Sequence, residues 1–286
     1  MKKTLMMFVI FILISLLFDG PLNATISDKE DINLQIKNVL DVDFTHTVFV
    51  EYATTTWCPS CPTASEAIYS IYQNDNYPFY FVSLVSDVNN IAKRRSRLYN
   101  NIVIPSVYID GGDLNYFGHA GNVSATEEVY RDLIEERGIN EDIHLIDMNM
   151  DVTWRVDAKI TVSVTIKNNG DNFYFGMIRS YITEIESRWL DNNGDPYHFG
   201  FLDFALNRPI FLSSQQTKTI TTNWNGKGYH GGQTYGDITK DNIMVFSVVS
   251  HYLPNLRQGY QQLPNYDQKY LAFFMDQSVA AIPDSN

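Results

Sequence analysis

The chain has 286 residues, enough for two ordinary domain cores, and its 44% hydrophobic and 14% aromatic content excludes a disordered polymer. A formal charge of −12 and a pI near 4.8 argue against nucleic acid or anionic lipid as a partner, because both require a basic surface.

The chain begins MKKTLMMFVIFILISLLFDG: two lysines, an apolar run from Leu5 to Phe18, then Asp19 and Gly20. This is the layout of a secretory signal, and the run is shorter than the roughly 20 residues a membrane span needs. Residues 1–24 are therefore expected to be a signal peptide or an uncleaved N-terminal anchor, since the best small pair nearby, Leu22 and Ala24, makes a poor cleavage site. No cysteine follows the run, which excludes a lipoprotein-type anchor, and a membrane enters the reading only through this segment. The protein is expected outside the cytoplasm: secreted, periplasmic or at the cell surface. Asn23-Ala-Thr25 and Asn122-Val-Ser124 match the N-glycosylation pattern.

Residues 25–45 are polar and mixed and read as a lead-in. VFVEYA, from Val48, then reads as a short apolar strand. A helix follows, with Ala64, Ala67, Ile68 and Ile71 forming one buried stripe. FYFVSLV (79–85) is a second strand, residues 88–100 a second, more polar helix, and IPSVYID a third strand. The DGG at 110–112 marks a tight hairpin turn into LNYFG. Ser124 and Glu127 form a capping box that opens a last helix, ending at Gly138. The basic cluster AKRRSRL (92–98) reads as a solvated helix face, with a docking surface for an acidic redox partner as the alternative.

Beyond Gly138 the helical period disappears. KITVSVTIKNNG alternates strictly, Ile160, Val162, Val164 and Ile166 facing one way, and ends in a turn signal. MIRSYITEI (177–185), TKTITTNW (217–224), IMVFSVVSHY (243–252) and YLAFFM read as further strands. Several such runs suggest an antiparallel sandwich, with Trp154, Trp189 and Trp224 in its core or rim and the GYHGGQ loop carrying His230 as a turn.

Both cysteines of the chain lie in TTTWCPSCPTASE, as Cys58 and Cys61. A structural bridge there would close only four residues, contributing about 2 kcal/mol against about 4.7 for a loop of 100. Zinc would need two further ligands, and the six histidines (46, 119, 144, 198, 230 and 251) are scattered along the chain. Copper delivery lacks an adjacent methionine or histidine. Redox exchange is the remaining use: between a strand and a helix, Cys58 would meet unpaired N–H groups and the positive end of the helix dipole, which favour thiolate. Pro59 is expected at the first helical position.

WCPSC after a strand, the order of elements over about residues 45–138, and Ile104-Pro105 before the hairpin together resemble the thioredoxin superfamily. The wider layout resembles exported thioredoxin-like proteins whose tail is an immunoglobulin-like β domain. The resemblance implies an α/β thioredoxin-like domain over residues 25–140, followed by an all-β sandwich over 141–286. It implies Cys58 as attacking thiol and Cys61 as resolving thiol, with Trp57 as a lid. Ile104 and Pro105, joined by a cis bond, would form the edge that holds a substrate chain. Glu51 resembles the buried acid that takes the proton of the resolving cysteine, with an ordinary strand-end carboxylate as the alternative, because ATTTW carries one extra residue. Pro62 departs from the family pattern. No cofactor beyond the cysteine pair and no metal is implied.

The expected function is thiol–disulfide oxidoreduction on protein thiols and disulfides, in concert with a separate redox partner. Pro-Ser between the cysteines, lacking a histidine or charge, favours reductase or isomerase duty over oxidation. The alternative from a different class is a cell-surface binding module in which the first domain is scaffold.

Overall fold

The computed structural model of the protein describes residues 43–74, 77–100, 103–259 and 268–285, so the signal or anchor segment and Asn23 lie outside the described residues. The strand rich in β-branched and aromatic residues forms β1 (Val48–Thr54) and is followed by α1 (Cys61–Asn74), β2 (Phe79–Val85) and α2 (Asn90–Arg97). The apolar stripe Ala64, Ala67, Ile68 and Ile71 of α1 is wholly buried. Asn89 starts α2 by accepting hydrogen bonds from the N–H groups of Ile91 and Ala92 at 2.8 and 3.2 Å.

The hairpin strands β3 (Ser106–Ile109) and β4 (Leu114–Phe117) follow, then α3 (Val123–Gly138). The cap of α3 is Asn122, which accepts from Ala125 N–H at 2.9 Å, and not the expected Ser124. Asn122 lies two residues closer to the glycine turn, so its short amide side chain reaches the first free N–H groups.

The second half contributes β5 (Ile146–Arg155), β6 (Lys159–Asn168), β7 (Tyr174–Leu190), β8 (Pro196–Leu212), β9 (Thr217–Asn225), β10 (Ile243–His251), β11 (Asn255–Gly259), β12 (Gln268–Ala272), β13 (Met275–Ala281) and β14 (Asp284–Ser285). YLAFFM, expected as one strand, is broken at Phe273–Phe274 between β12 and β13.

These strands do not form a separate sandwich. One eight-stranded mixed sheet runs in the order β13-β10-β7-β8-β2-β1-β3-β4, joining both halves of the chain, and a four-stranded sheet runs β14-β5-β6-β9. The expectation of an α/β thioredoxin-like domain followed by an immunoglobulin-like domain is thereby overturned. Residues Asp43–Asn286 form one compact unit, predominantly β, with three α-helices among the described residues.

The physical reason lies in burial on both faces. Along β10, Ile243, Val245 and Val249 pack into the core against the four-stranded sheet, while Phe246 and Val248 pack into the core shared with the helices and β1. Tyr181 and Ile182 of β7, and Phe201 and Leu202 of β8, divide between the same two cores. Successive side chains of a strand point to opposite faces, so these strands are central layers and cannot be detached from either neighbour. By contrast β6 is half-buried as its alternation predicts: Ile160, Val162, Val164 and Ile166 are inaccessible, and its outer Thr161, Ser163 and Thr165 hydrogen-bond across to Asn223, Thr221 and Thr219 of β9. Trp224 lies in that core, with Trp154 and Trp189 packed against it.

Buried polar contacts anchor the β3–β4 turn. Asp110 accepts from Phe49 N–H at 2.8 Å and pairs with His46 at 2.6 Å and Arg137 at 3.1 Å, all buried. Gly111 and Gly112 take positive φ angles of 70° and 87°. A Cβ on Gly111 would stand 1.9 Å from the carbonyl oxygen of Phe273, whereas one on Gly118, at φ 79°, would meet nothing within 4 Å. Gly118→Ala should therefore cost about 1 kcal/mol from the left-handed backbone alone. Gly111→Ala should cost about 3 kcal/mol, because overpacking against backbone adds to that strain. Urea unfolding of the two variants measures the difference, and equal losses would contradict this packing.

Candidate functional site

The loop after β1 carries the cysteines. Cys58 and Cys61 form a disulfide with Cα atoms 5.4 Å apart, and the Cys61 N–H donates to the Cys58 carbonyl at 3.3 Å, closing a turn. Cys61 is the first residue of α1, so Pro59 lies in the turn and not at the first helical position as expected. Pro62 takes the second helical position, where a missing N–H is tolerated because that group has no intrahelical partner. The bridge therefore sits at the N-terminus of α1. Cys58 retains 4% of its surface and Cys61 none, while Trp57 beside them is 65% exposed.

Two tyrosines and one carboxylate set the loop in place. Tyr52, pointing to the α1 side of β1, donates to the Cys61 carbonyl at 2.8 Å. Tyr197 of β8 accepts from the Thr54 hydroxyl at 2.8 Å and donates to the Thr55 carbonyl at 2.9 Å. Asp87, at the end of β2, accepts from the Thr56 N–H at 3.1 Å and from its hydroxyl at 2.5 Å. Tyr52 and Tyr197 also pack edge to face. Sequence reading missed both; the only available signal is that a tyrosine within an otherwise apolar strand needs a partner for its hydroxyl.

Ile104 and Pro105 join through a cis bond. Because Ser106 pairs with Ala53 in the antiparallel β1–β3 register, Pro105 lies beyond Ala53 at the end of the sheet where the cysteine loop begins. Pro105 is buried and Ile104 partly exposed. The structure thus brings Trp57, Cys58, Cys61, Ile104 and Pro105 to one sheet end.

Glu51 does not join them. It is adjacent to Tyr52 on β1 and so faces the opposite side of the sheet from α1. There its carboxylate, wholly buried, takes a two-pronged ion pair from Arg95, Nε to Oε1 at 2.7 Å and Nη2 to Oε2 at 2.6 Å. It also accepts hydrogen bonds from Tyr99 and, at 2.9 Å, from Tyr181 of β7. The expected role as proton acceptor for Cys61 is therefore corrected: next to Tyr52, which reaches Cys61, this carboxylate alternates to the other face and is engaged by Arg95, Tyr99 and Tyr181. The same ion pair corrects the reading of AKRRSRL as a wholly solvated face, since Arg95 is 4% exposed while Arg94 and Arg97 remain in solvent.

Other expected features fall as follows. His230 does more than punctuate a turn, as its Nδ1 lies 2.6 Å from Asp203 and its ring stacks near Trp224 and Tyr235. Two histidines scattered in sequence, His144 and His251, meet at Asp276.

No family model and no curated protein matches the chain. Among solved structures it is similar to HBP35 of Porphyromonas gingivalis, at 12% identity and TM-score 0.58 over 84% of this chain and 76% of that one. It is also similar to a structural-genomics target from Agrobacterium tumefaciens, at 12% identity and TM-score 0.47 over 84% of this chain and 95% of that one. A domain of the outer membrane lipoprotein Omp28 from Porphyromonas gingivalis aligns at 14% identity and TM-score 0.30, over 51% of this chain and 94% of that one. The likeness to HBP35 is one of fold alone. Covering 84% of the chain, it necessarily takes in strands from both halves.

The Glu51 site generates a stability prediction. Burial alone would raise its pKa, but the Arg95 charge and the hydrogen bonds from Arg95 and Tyr99 hold it below the ordinary value of 4.5. Its contribution to stability is thus complete above about pH 4.5 and is lost as pH falls through the lower folded value. Glu51→Gln should destabilise by about 3–5 kcal/mol at pH 7, because Arg95 is left buried without its counter-ion. The variant should also show a shallower loss of stability on acidification below pH 4.5. Urea titrations from pH 3 to 7 check both.

Proposed function

We propose that the protein is an extracytoplasmic thiol–disulfide oxidoreductase acting through Cys58 and Cys61. The observation that carries this reading is the four-residue disulfide ring at the start of α1, in which Cys58, of the two cysteines, is the one that retains solvent contact. A bridge this short contributes little chain-entropy stabilisation to a unit that already has two extensive cores. At a helix N-terminus a thiolate is favoured by free N–H groups, which suits a sulfur that must alternately attack and leave. The resemblance of WCPSC, and of Ile104-Pro105 before the hairpin, to the thioredoxin superfamily supports the same chemistry, without the independent α/β domain that the resemblance implied.

From the oxidised pair, a substrate thiolate attacks the Cys58 sulfur, the Cys58–Cys61 bond breaks, and Cys61 leaves as thiolate. A second substrate thiolate attacks the substrate sulfur of the mixed disulfide, releasing an oxidised substrate and the reduced pair. In the reverse direction the Cys58 thiolate attacks a substrate disulfide, and Cys61 then attacks Cys58 and frees the second substrate thiol. Atoms and electrons balance in both, so direction depends on the potential of the partner couple. The exposed ring of Trp57 and the Ile104–Pro105 edge at the same sheet end supply a surface for an extended peptide beside Cys58.

An insulin-reduction assay with a chemical reductant tests the reading. The wild-type protein should accelerate turbidity, Cys58→Ser should abolish the acceleration, and Cys61→Ser should accumulate a mixed disulfide visible by non-reducing gel and mass spectrometry. A wild type inactive in this assay and in dithiol oxidation would overturn the proposal.

A further inference from the structure

Three side chains distant in sequence converge on one point. His144 lies two residues before β5, His251 closes β10, and Asp276 is the second residue of β13. His144 Nδ1 and His251 Nε2 are 2.6 Å apart, and Asp276 Oδ1 lies 3.3 Å from the first and 2.9 Å from the second. Asp276 is 1% exposed, whereas the side chain of His144 is about half exposed. The other carboxylate oxygen, Oδ2, accepts from the Tyr174 hydroxyl at 2.8 Å, and Oδ1 also accepts from the His144 N–H at 2.9 Å. The carboxylate is therefore fixed in orientation with one oxygen turned to both imidazoles.

Beside this cluster opens a cavity of about 520 Å³ whose lining includes both histidines with Phe173, Phe175, Tyr252 and Leu253. The cluster thus has one walled side, formed by the buried carboxylate, and one accessible side.

We propose that His144, His251 and Asp276 form a binding site for a single divalent transition-metal ion of the zinc class, with at least one coordination position open to this cavity. Two imidazole nitrogens and one carboxylate oxygen are the donor set that borderline cations prefer, and calcium and magnesium favour all-oxygen sets. Around a tetrahedral zinc ion, with bonds of about 2.0–2.2 Å, neighbouring donor atoms stand about 3.3 Å apart. The His144–Asp276 spacing already has that value, the His251–Asp276 spacing is close to it, and the two nitrogens need to part by about 0.7 Å. The half-exposed His144 ring has the freedom to make that movement. Tyr174 acts as the outer partner that orients the carboxylate, the usual support for a metal ligand. The open position gives the ion an exchangeable ligand facing aromatic side chains. This site is separate from the cysteine pair and does not depend on its redox chemistry.

The test is calorimetric titration of the full chain, chelator-treated and with its disulfide intact, with zinc chloride. One equivalent should bind in the micromolar range or tighter, and a Cys58→Ser/Cys61→Ser variant should bind equally. His144→Ala with His251→Ala should lose at least 100-fold in affinity, and Tyr174→Phe about 10-fold. Cobalt(II) bound to the wild type should give visible d–d bands without a thiolate charge-transfer band, a readout independent of how the variants fold. No saturable binding by the wild type, a thiolate band, or unchanged affinity in the double histidine variant would overturn the proposal.

Discussion

β10 and the central stretches of β7 and β8 have both faces buried, and that constraint governs the rest of the molecule. Each alternates its side chains between the core shared with the helices and the core beneath the four-stranded sheet. At about 25 cal/mol per Å² of apolar surface, exposing either face of three strands would cost far more than the marginal net stability of a folded chain. The N-terminal strands accordingly share one sheet with these three and close no separate one among the described residues. Between the halves, β2 meets β8 at Ser83 and Gly200, and the Ser83 hydroxyl and the Asn89 amide donate to carbonyls of β8.

The buried carboxylate of Glu51 completes that union from the other side of β1. A charge removed from water must be matched by donors, and here they come from α2 through Arg95, from Tyr99 and, across the halves, from Tyr181 of β7. The same cross-half logic holds the cysteine loop, because Tyr197 of β8 fixes Thr54 and Thr55. The geometry of the disulfide end is thus set by the second half of the chain as much as by the strand and helix that flank it.

Local pattern made many elements legible in the sequence. β1, β2 and β6 follow from β-branched runs and alternation, α1 from its four-residue stripe, and the β3–β4 turn from its paired glycines. What local pattern could not show was partnership. The run IMVFSVV has the same composition whether one face or both are buried, so β10 read as a sandwich strand when it is a central layer. The facing of Glu51 could not be read from its distance to the cysteines; it follows from alternation with Tyr52, whose hydroxyl reaches Cys61. The burial of Arg95 among solvated arginines depended on that same carboxylate. His144, His251 and Asp276 are separated by 107 and 25 positions; the pairing of β10 with β13 brings the last two together, and the backbone N–H of His144 holds it to Asp276.

Interdependence of the two halves is what the architecture stands on, and a fragment of residues 43–140 tests it most directly. Without β8, β7 and β10 the outer edge of β2 and the Tyr181 side of Glu51 face water. The fragment should give a collapsed amide proton NMR spectrum and no cooperative urea transition, while residues 43–286 give both dispersion and cooperativity. A well-dispersed spectrum with a sharp transition from the fragment alone would show that the N-terminal half is a domain in its own right, and would contradict the account.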